Sequence, residues 1–526
     1  MTVIYHNHLS ASPHPPNSDN APDQPIIHPS PTADLASFNL SLFQGTKYRD
    51  VAAQWLSGLV QIPTVTYDEM GLVGEDPRWD VFYELPKYLK DTFPKVYEVL
   101  DVVTINEHAF LYTWKGSDSS LKPVVFMAHT DVVPAPEATS DRWTYPPFSG
   151  HYDGEFIWGR GSEDDKSTVI AVLSAIDALL KVGFEPQRTV VFAVGFDEEG
   201  GAEGGYGARC LADRLLEIYG EDGVELILDE GIPGIEKHFG TEFALPATAE
   251  KGYLDVVLTI NTAGGHSSTP PDHTAIGYLA RIIQAIEDNP FQSRLTSTNP
   301  TSNYLKTIAL YAKDIPSDLR KAILDPRSAD KVLKYMDNSL DRRALVRTST
   351  AVDVIQGGEK SNALPETAHI IVNHRIAVEE SVQTVKDYYI HLLSPLAKKW
   401  DYSIQGFGQE AASNTKGTIT LAGFSALEPS PTSDMDDERF KWLTGAIRGV
   451  FGKEVIVAPV LLTGNTDTKF YWKLTSQIYR WAPWRARLDP RGTMMHTVDE
   501  RMPVEGLLEM VRFFHEFIRV VDERRR

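Results

Sequence analysis

Cysteine is almost missing from this chain: Cys210 is the only one in 526 residues. No intramolecular disulfide can form, and no cysteine cluster can bind a metal, so a metal site here must rely on histidine and carboxylates. Long hydrophobic runs are missing as well. No stretch approaches the roughly 18 to 20 consecutive apolar residues of a spanning helix, so no membrane span is expected. Positive charge is scarce, with Lys+Arg 51 against Asp+Glu 72 and a formal net charge of -21. Such a surface repels nucleic acid phosphates and anionic membranes, and neither is expected as a partner. The run Tyr479-Arg480-Trp481 to Trp484-Arg485 and Arg487 mixes aromatics with bases. In so acidic a chain it reads as packed or ion-paired rather than as a nucleic-acid patch.

A chain of 58.6 kDa exceeds what one core can serve, so at least two domains are expected. Residues 1–35, rich in Pro, Ser, Asn, Asp and His, read as a disordered leader. The first part of the main domain spans 36–250. Apolar runs at Pro123 to Ala128, Thr189 to Phe196 and Leu226 to Leu228 read as strands buried on both faces. Between the first two, Ile170, Leu173, Ile176 and Leu180 recur at helical spacing over Ser167 to Val182, with Gly183 placed to end the helix. This βαβ pattern predicts an α/β fold with a mostly parallel central sheet and helices on both faces. From about Gly252 a βαββαβ order suggests a separate α+β domain of ferredoxin-like type over 251–408, with an insertion at about 289–347. The α/β texture returns over 409–526, so the second domain interrupts the first.

Five short segments carry the chemistry: VVFMAHTD around His129, GRGSEDDKS around Asp164, FDEEGG around Glu199, ILDEG around Asp229 and MMHTVDE around His496. Three of them begin directly after a predicted strand, on the sheet edge where open α/β folds keep their sites. His129 and Asp131 have the spacing that lets a carboxylate accept the ring N–H and choose which nitrogen faces a metal. Gly159 and Gly161 allow a tight turn beside Asp164, and Glu163, Asp164 and Asp165 crowd together without a counterion. Asp197, Glu198 and Glu199 do the same; like charges so close resist ionisation unless cations are present. One of these acids can bind metal while another takes a proton from water. Two histidines and three carboxylates suit two zinc ions if one carboxylate is shared. His266, in Ala263-Gly264-Gly265-His266, could reach across from the second domain as a donor to an oxyanion.

Taken together, the segments resemble the co-catalytic di-zinc family of aminoacylases, dipeptidases and carboxypeptidases, within it the branch of fungal carboxypeptidase S and the N-acyl amino acid hydrolases. The match runs from about Asp50 to the carboxyl end, with all five segments in the family's order. The resemblance implies a zinc-peptidase-like main domain and a lid. It implies that His129 and Asp229 hold one zinc, Glu199 and His496 the other, and Asp164 bridges them, with Co2+ or Mn2+ as substitutes. Asp131 would orient His129, Glu198 would be the general base, and the Asp164–Asp165 peptide would be cis. His266 would stabilise the oxyanion; in dimeric relatives the neighbouring subunit supplies it, so a homodimer through the lid is implied. Asn362 and Arg375 would clamp a substrate carboxylate, and Gly464-Asn465-Thr466-Asp467 stands where relatives have Gly-Gly-Thr-Asp. The expected activity is release of a C-terminal amino acid from short Gly-Xaa peptides. N-acyl amino acid hydrolysis is the alternative, and a non-catalytic acyl amino acid binder is the reading outside the enzyme class.

Overall fold

A computed structural model describes residues 21–30, 45–200, 204–492 and 494–524. Its main sheet runs, edge to edge, Asp101–Ile105, Ala109–Trp114, Val190–Gly195, Val124–His129, Leu226–His238, Ile478–Arg485, Ala247–Glu250 and Val460–Leu462. Val124–His129 lies parallel to both Val190–Gly195 and Leu226–His238. The runs read as buried strands are buried throughout, because helices cover both faces of the sheet. The helix Lys166–Lys181 packs against the sheet beside the last helix, Val504–Asp522, and is buried from Lys166 to Leu179. Gly183 follows it in the left-handed conformation at φ 73, as its position predicts.

The aromatic and basic run is a central strand. Arg480 is buried and pairs with Glu250 at 2.8 Å, Thr468 hydroxyl bonding to both, while Trp481 and Trp484 are core residues. The run is packed and ion-paired, as its setting in an acidic chain implied.

The second sheet has the order Ser349–Gly357, Thr367–Ile376, Gly252–Asn261, Gly417–Leu427, Tyr402–Gln405. Helices Ala275–Asp288 and Val382–Trp400 cover one face and share its core. The βαββαβ order is there, but Gly417–Leu427, assigned by sequence to the returning main domain, is a fifth strand inserted between Gly252–Asn261 and Tyr402–Gln405. Its Thr418-Ile419-Thr420-Leu421 alternation turns Ile419 and Leu421 into the small core.

The insertion forms helices Pro300–Tyr311, Ser317–Leu324, Ala329–Asp337 and Leu340–Ala344. They pack against Phe243, Leu245, Ile456 and Ala458 of the main domain, in a core of their own, not against the sheet they interrupt.

The leader also departs from expectation over 21–30. Gln24 exchanges two hydrogen bonds with the Val457 backbone, at 2.7 and 2.8 Å, and Ile27 N–H donates to Gly445 O at 2.9 Å. Composition failed here because a few specific backbone contacts, not a hydrophobic run, hold the segment. Residues 1–20 and 31–44 lie outside the described residues. A Cβ on Gly449 would sit 2.4 Å from the Ile27 carbonyl oxygen. Gly449→Ala is therefore expected to release 21–30 to limited proteolysis; an unchanged cleavage pattern would show that the segment tolerates the displacement.

Candidate active site

Four of the expected metal ligands converge at the carboxyl ends of parallel strands. His129 closes Val124–His129, and its Nε2 lies 3.1 Å from Asp164 Oδ1. His496, at φ 58, reaches the other oxygen: its Nε2 is 3.2 Å from Asp164 Oδ2 and 2.8 Å from Glu199 Oε1. Asp164 thus stands between two imidazoles, one oxygen to each. The Asp164–Asp165 peptide is cis.

Asp131 is fully buried and makes four connections. Its carboxylate lies 3.2 Å from His129 Nδ1, and accepts from Thr66 Oγ1 at 2.8 Å and from the backbone N–H of Glu198 and Glu199 at 3.1 and 2.9 Å. It therefore aims His129 Nε2 into the site and fixes both glutamates after Val190–Gly195.

Asp229 is placed differently from the expectation that it would stand against His129. Consecutive side chains of a strand diverge, and it is Glu230 whose Oε1 lies 3.4 Å from His129 Nε2. The donor atoms gathered within 4.8 Å of one another are those of His129, Asp164 and Glu199, and of His129, Glu198 and Glu230. Asp229 is buried beside Thr466, and its Oδ2 has no hydrogen-bond partner among the described residues. Burial pushes its carboxyl up to about 6.

Sequence reasoning missed Glu230 and Glu500. Glu500 ion-pairs with Arg160 and accepts the backbone N–H groups of Gly161, Glu163 and Asp164 at 2.9, 3.0 and 3.2 Å, so it shapes the loop that presents Asp164. The adjacent acids in Asp229-Glu230 and Asp499-Glu500 were the available signal. Nothing local told which member faces inward.

Electrostatic crowding runs through the site. Burial, then repulsion from Glu199 and Glu230, holds the Glu198 carboxyl well above its ordinary range. Burial also carries Asp467 up to about 8. Hydrogen bonds to Asp164 and Glu199 raise His496 to about 10. Burial works against a charge on His129, yet Glu230, Asp131 and Asp164 outweigh it and raise its pKa. Asp164, between the two imidazoles, is instead held below the ordinary carboxylate range, and so many acids in one pocket are the electrostatic setting that cations relieve. Two imidazoles with a carboxylate between them, further acids on either side and a buried oxygen without a partner fit a pair of cations.

The other expected residues lie toward the second sheet. Arg375, on Thr367–Ile376, donates from Nη1 to Asn465 Oδ1 at 2.9 Å and stacks over the Tyr253 ring at 4.6 Å. Among the described residues no carboxylate ion-pairs with it. His266 lies elsewhere, paired with Ala363 on a two-stranded ribbon of Gly265–His266 and Ala363–Leu364, and Asn362, just before the ribbon, accepts the Ser267 N–H at 3.3 Å. His266 is exposed, with its Nδ1 2.8 Å from Ser268 Oγ, so within this single chain it is not gathered into the acid and histidine cluster.

A site of this composition at the strand ends of an α/β sheet defines a metallohydrolase. The chain belongs to peptidase family M20/M25/M40, which it matches over residues 125–520. It is 41% identical to carboxypeptidase S of Saccharomyces cerevisiae over 492 residues, covering 90% of this chain and 85% of that protein. It is 31% identical to the human N-fatty-acyl-amino acid synthase/hydrolase PM20D1, covering 89% and 87%. The crystal structure of human carnosine dipeptidase 1 has the same fold, with a TM-score of 0.63 at 16% identity over 94% of this chain and 100% of that one. No helix among the described residues is long and apolar enough to cross a membrane.

Because Asp131 aims His129, Asp131→Asn is expected to lower zinc affinity roughly 10- to 100-fold, measured by competition with a chelator. An unchanged affinity would remove Asp131 from that role.

Proposed function

We propose that this protein is a di-zinc carboxypeptidase that releases the C-terminal amino acid from short peptides of the Gly-Xaa type. The observation that carries the reading is a partly buried guanidinium, Arg375, with no carboxylate partner among the described residues and tied through Asn465 to the loop that brings Asp467 to the acidic cluster. It is supported by the similarity to carboxypeptidase S over nine-tenths of the chain.

Zinc suits the donor set of imidazole and carboxylate, and Co2+ or Mn2+ are expected substitutes. His129 and Glu230 would hold one ion, in place of the expected Asp229, which is buried beside Thr466, and Glu199 and His496 the other, with Asp164 between. When bound, the pair would polarise the scissile carbonyl and make water acidic enough to attack it.

The chain's own groups account for the rest. Glu198 is held by its backbone N–H to Asp131 at 3.1 Å, and its raised pKa suits a base that takes a proton from water and returns it to the leaving amine. Arg375 would hold the terminal carboxylate of the substrate by paired hydrogen bonds, with Asn362 as a second donor. His266 would donate to the developing oxyanion. Its exposed ribbon supports delivery by lid movement or by a second copy in a homodimer.

Hydrolysis of N-acyl amino acids is the second reading, supported by the similarity to PM20D1. Both reactions release a free amino acid and differ on the acyl side. A panel of blocked dipeptides and short- and long-chain N-acyl amino acids, each assayed with zinc and with chelator, separates them. Chelator-sensitive turnover fastest on blocked Gly-Leu is expected; faster turnover of long-chain N-acyl leucine would favour the second. Glu198→Gln is expected to retain metal while kcat falls by roughly 100- to 10,000-fold. Retained turnover would remove it as the base. Arg375→Ala is expected to raise KM for substrates with a free terminal carboxylate and to leave metal content unchanged; unaltered kinetics would refute the clamp.

A further inference from the structure

A cavity of about 80 Å³ lies where the helical insertion meets the main sheet. Thr301 and Leu345 wall it from the insertion; Leu245, Val460 and Leu461 wall it from the main domain. Ile232 completes the wall, two residues beyond Glu230 on the same strand, a distance of roughly 6 to 7 Å along an extended chain. The strand Val460–Leu462 runs directly into the loop that carries Asn465. The cavity wall is thus joined along the chain to Glu230 through Ile232 and to Asn465 through Val460 and Leu461.

Of its four polar wall residues, Thr301 donates its hydroxyl to Leu345 O at 3.4 Å and the other three are engaged with one another. His238 Nδ1 lies 2.6 Å from the Tyr304 hydroxyl and Nε2 lies 2.8 Å from Glu236 Oε2. The remaining wall is apolar, and Ile232, Leu345 and Val460 are each partly exposed while Leu461 and Leu245 are buried.

A chain of contacts ties this wall to the carboxylate clamp. Arg375 donates to Asn465, whose Nδ2 donates to Lys251 O at 2.6 Å. Lys251 Nζ in turn donates to Ala344 O and Arg347 O at 2.9 and 2.8 Å, on either side of Leu345. Nδ2 of Asn299 holds the Leu345 carbonyl itself at 3.2 Å. A ligand held by Arg375 is thus referred to a wall in fixed position.

We propose that this cavity receives the apolar side chain of the amino acid being released, the residue whose carboxylate Arg375 holds. The inference rests on the proposed carboxypeptidase reading for the identity of the substrate. An apolar chamber is filled most favourably by aliphatic carbon, and its size sets the limit: a cavity of ~150 Å³ accepts benzene, so this smaller one suits leucine, methionine or valine and not tryptophan. The insertion that breaks into the second domain is then a specificity element of the active site.

The test is kcat/KM of the zinc-loaded enzyme on blocked Gly-Ala, Gly-Leu and Gly-Trp. Gly-Leu is expected to exceed both others by about tenfold or more. Leu461→Phe, which fills the cavity, is expected to cut the Gly-Leu value by about tenfold while leaving Gly-Ala within about twofold. Leu345→Ala, which enlarges it, is expected to raise Gly-Trp relative to Gly-Leu by about fivefold or more. Retained Gly-Ala turnover reports that a variant is folded, and if Leu461→Phe lacks it, Leu345→Ala decides alone. A change by the same factor on all three substrates, or no change, would overturn the proposal. If only N-acyl amino acids are turned over, the carboxypeptidase reading fails by itself. The same variants compared on N-acyl alanine, leucine and tryptophan then decide the cavity separately.

Discussion

One buried carboxylate organises the centre of this molecule. Asp131 receives Thr66 from the loop after the first helix, the ring of His129 from its own strand end, and the backbone N–H groups of Glu198 and Glu199 from the neighbouring strand end. It is fully buried, so a lost partner would leave a charge in a medium that penalises it severely. Those contacts fix the distance between the His129 imidazole and the two glutamates. The rest of the site is arranged around that distance.

Around Asp131 the fold tolerates an excess of acid that would be destabilising elsewhere. Glu500, one of these acids, has its charge offset by Arg160 and three backbone N–H groups, and the Asp164 loop takes its shape from that contact. Glu198 and Asp467 have no such compensation, so burial keeps their carboxyls from ionising, whereas the two imidazoles hold Asp164 in its charged form.

The elements around the cluster divide recognition between them. The second sheet contributes Arg375 and the ribbon with His266 and Asn362, and the loop at Asn465 connects the first of these to the main domain. The helical insertion begins inside the second domain in sequence and packs on the main one in space. It therefore walls a cavity against the main domain although it interrupts the second domain in sequence.

What could be read from residue order was whatever depends on near neighbours. Buried strands such as Val190–Gly195, the helix closed by Gly183 and the ligand loops after them follow from local periodicity and turn chemistry. The pairing of His129 with Asp131 is equally local. Contacts between residues a hundred or more positions apart were not legible: Glu500 under the Asp164 loop, Gln24 on Val457, Gly417–Leu427 inside the small sheet, and the choice between Asp229 and Glu230 before His129. Side-chain periodicity and glycine placement act over a few residues, so the chain's order determined the elements and the chemistry available to them. Which acid faces which histidine depends on strand twist, loop shape and the packing of distant segments, and only the assembled tertiary structure decided it.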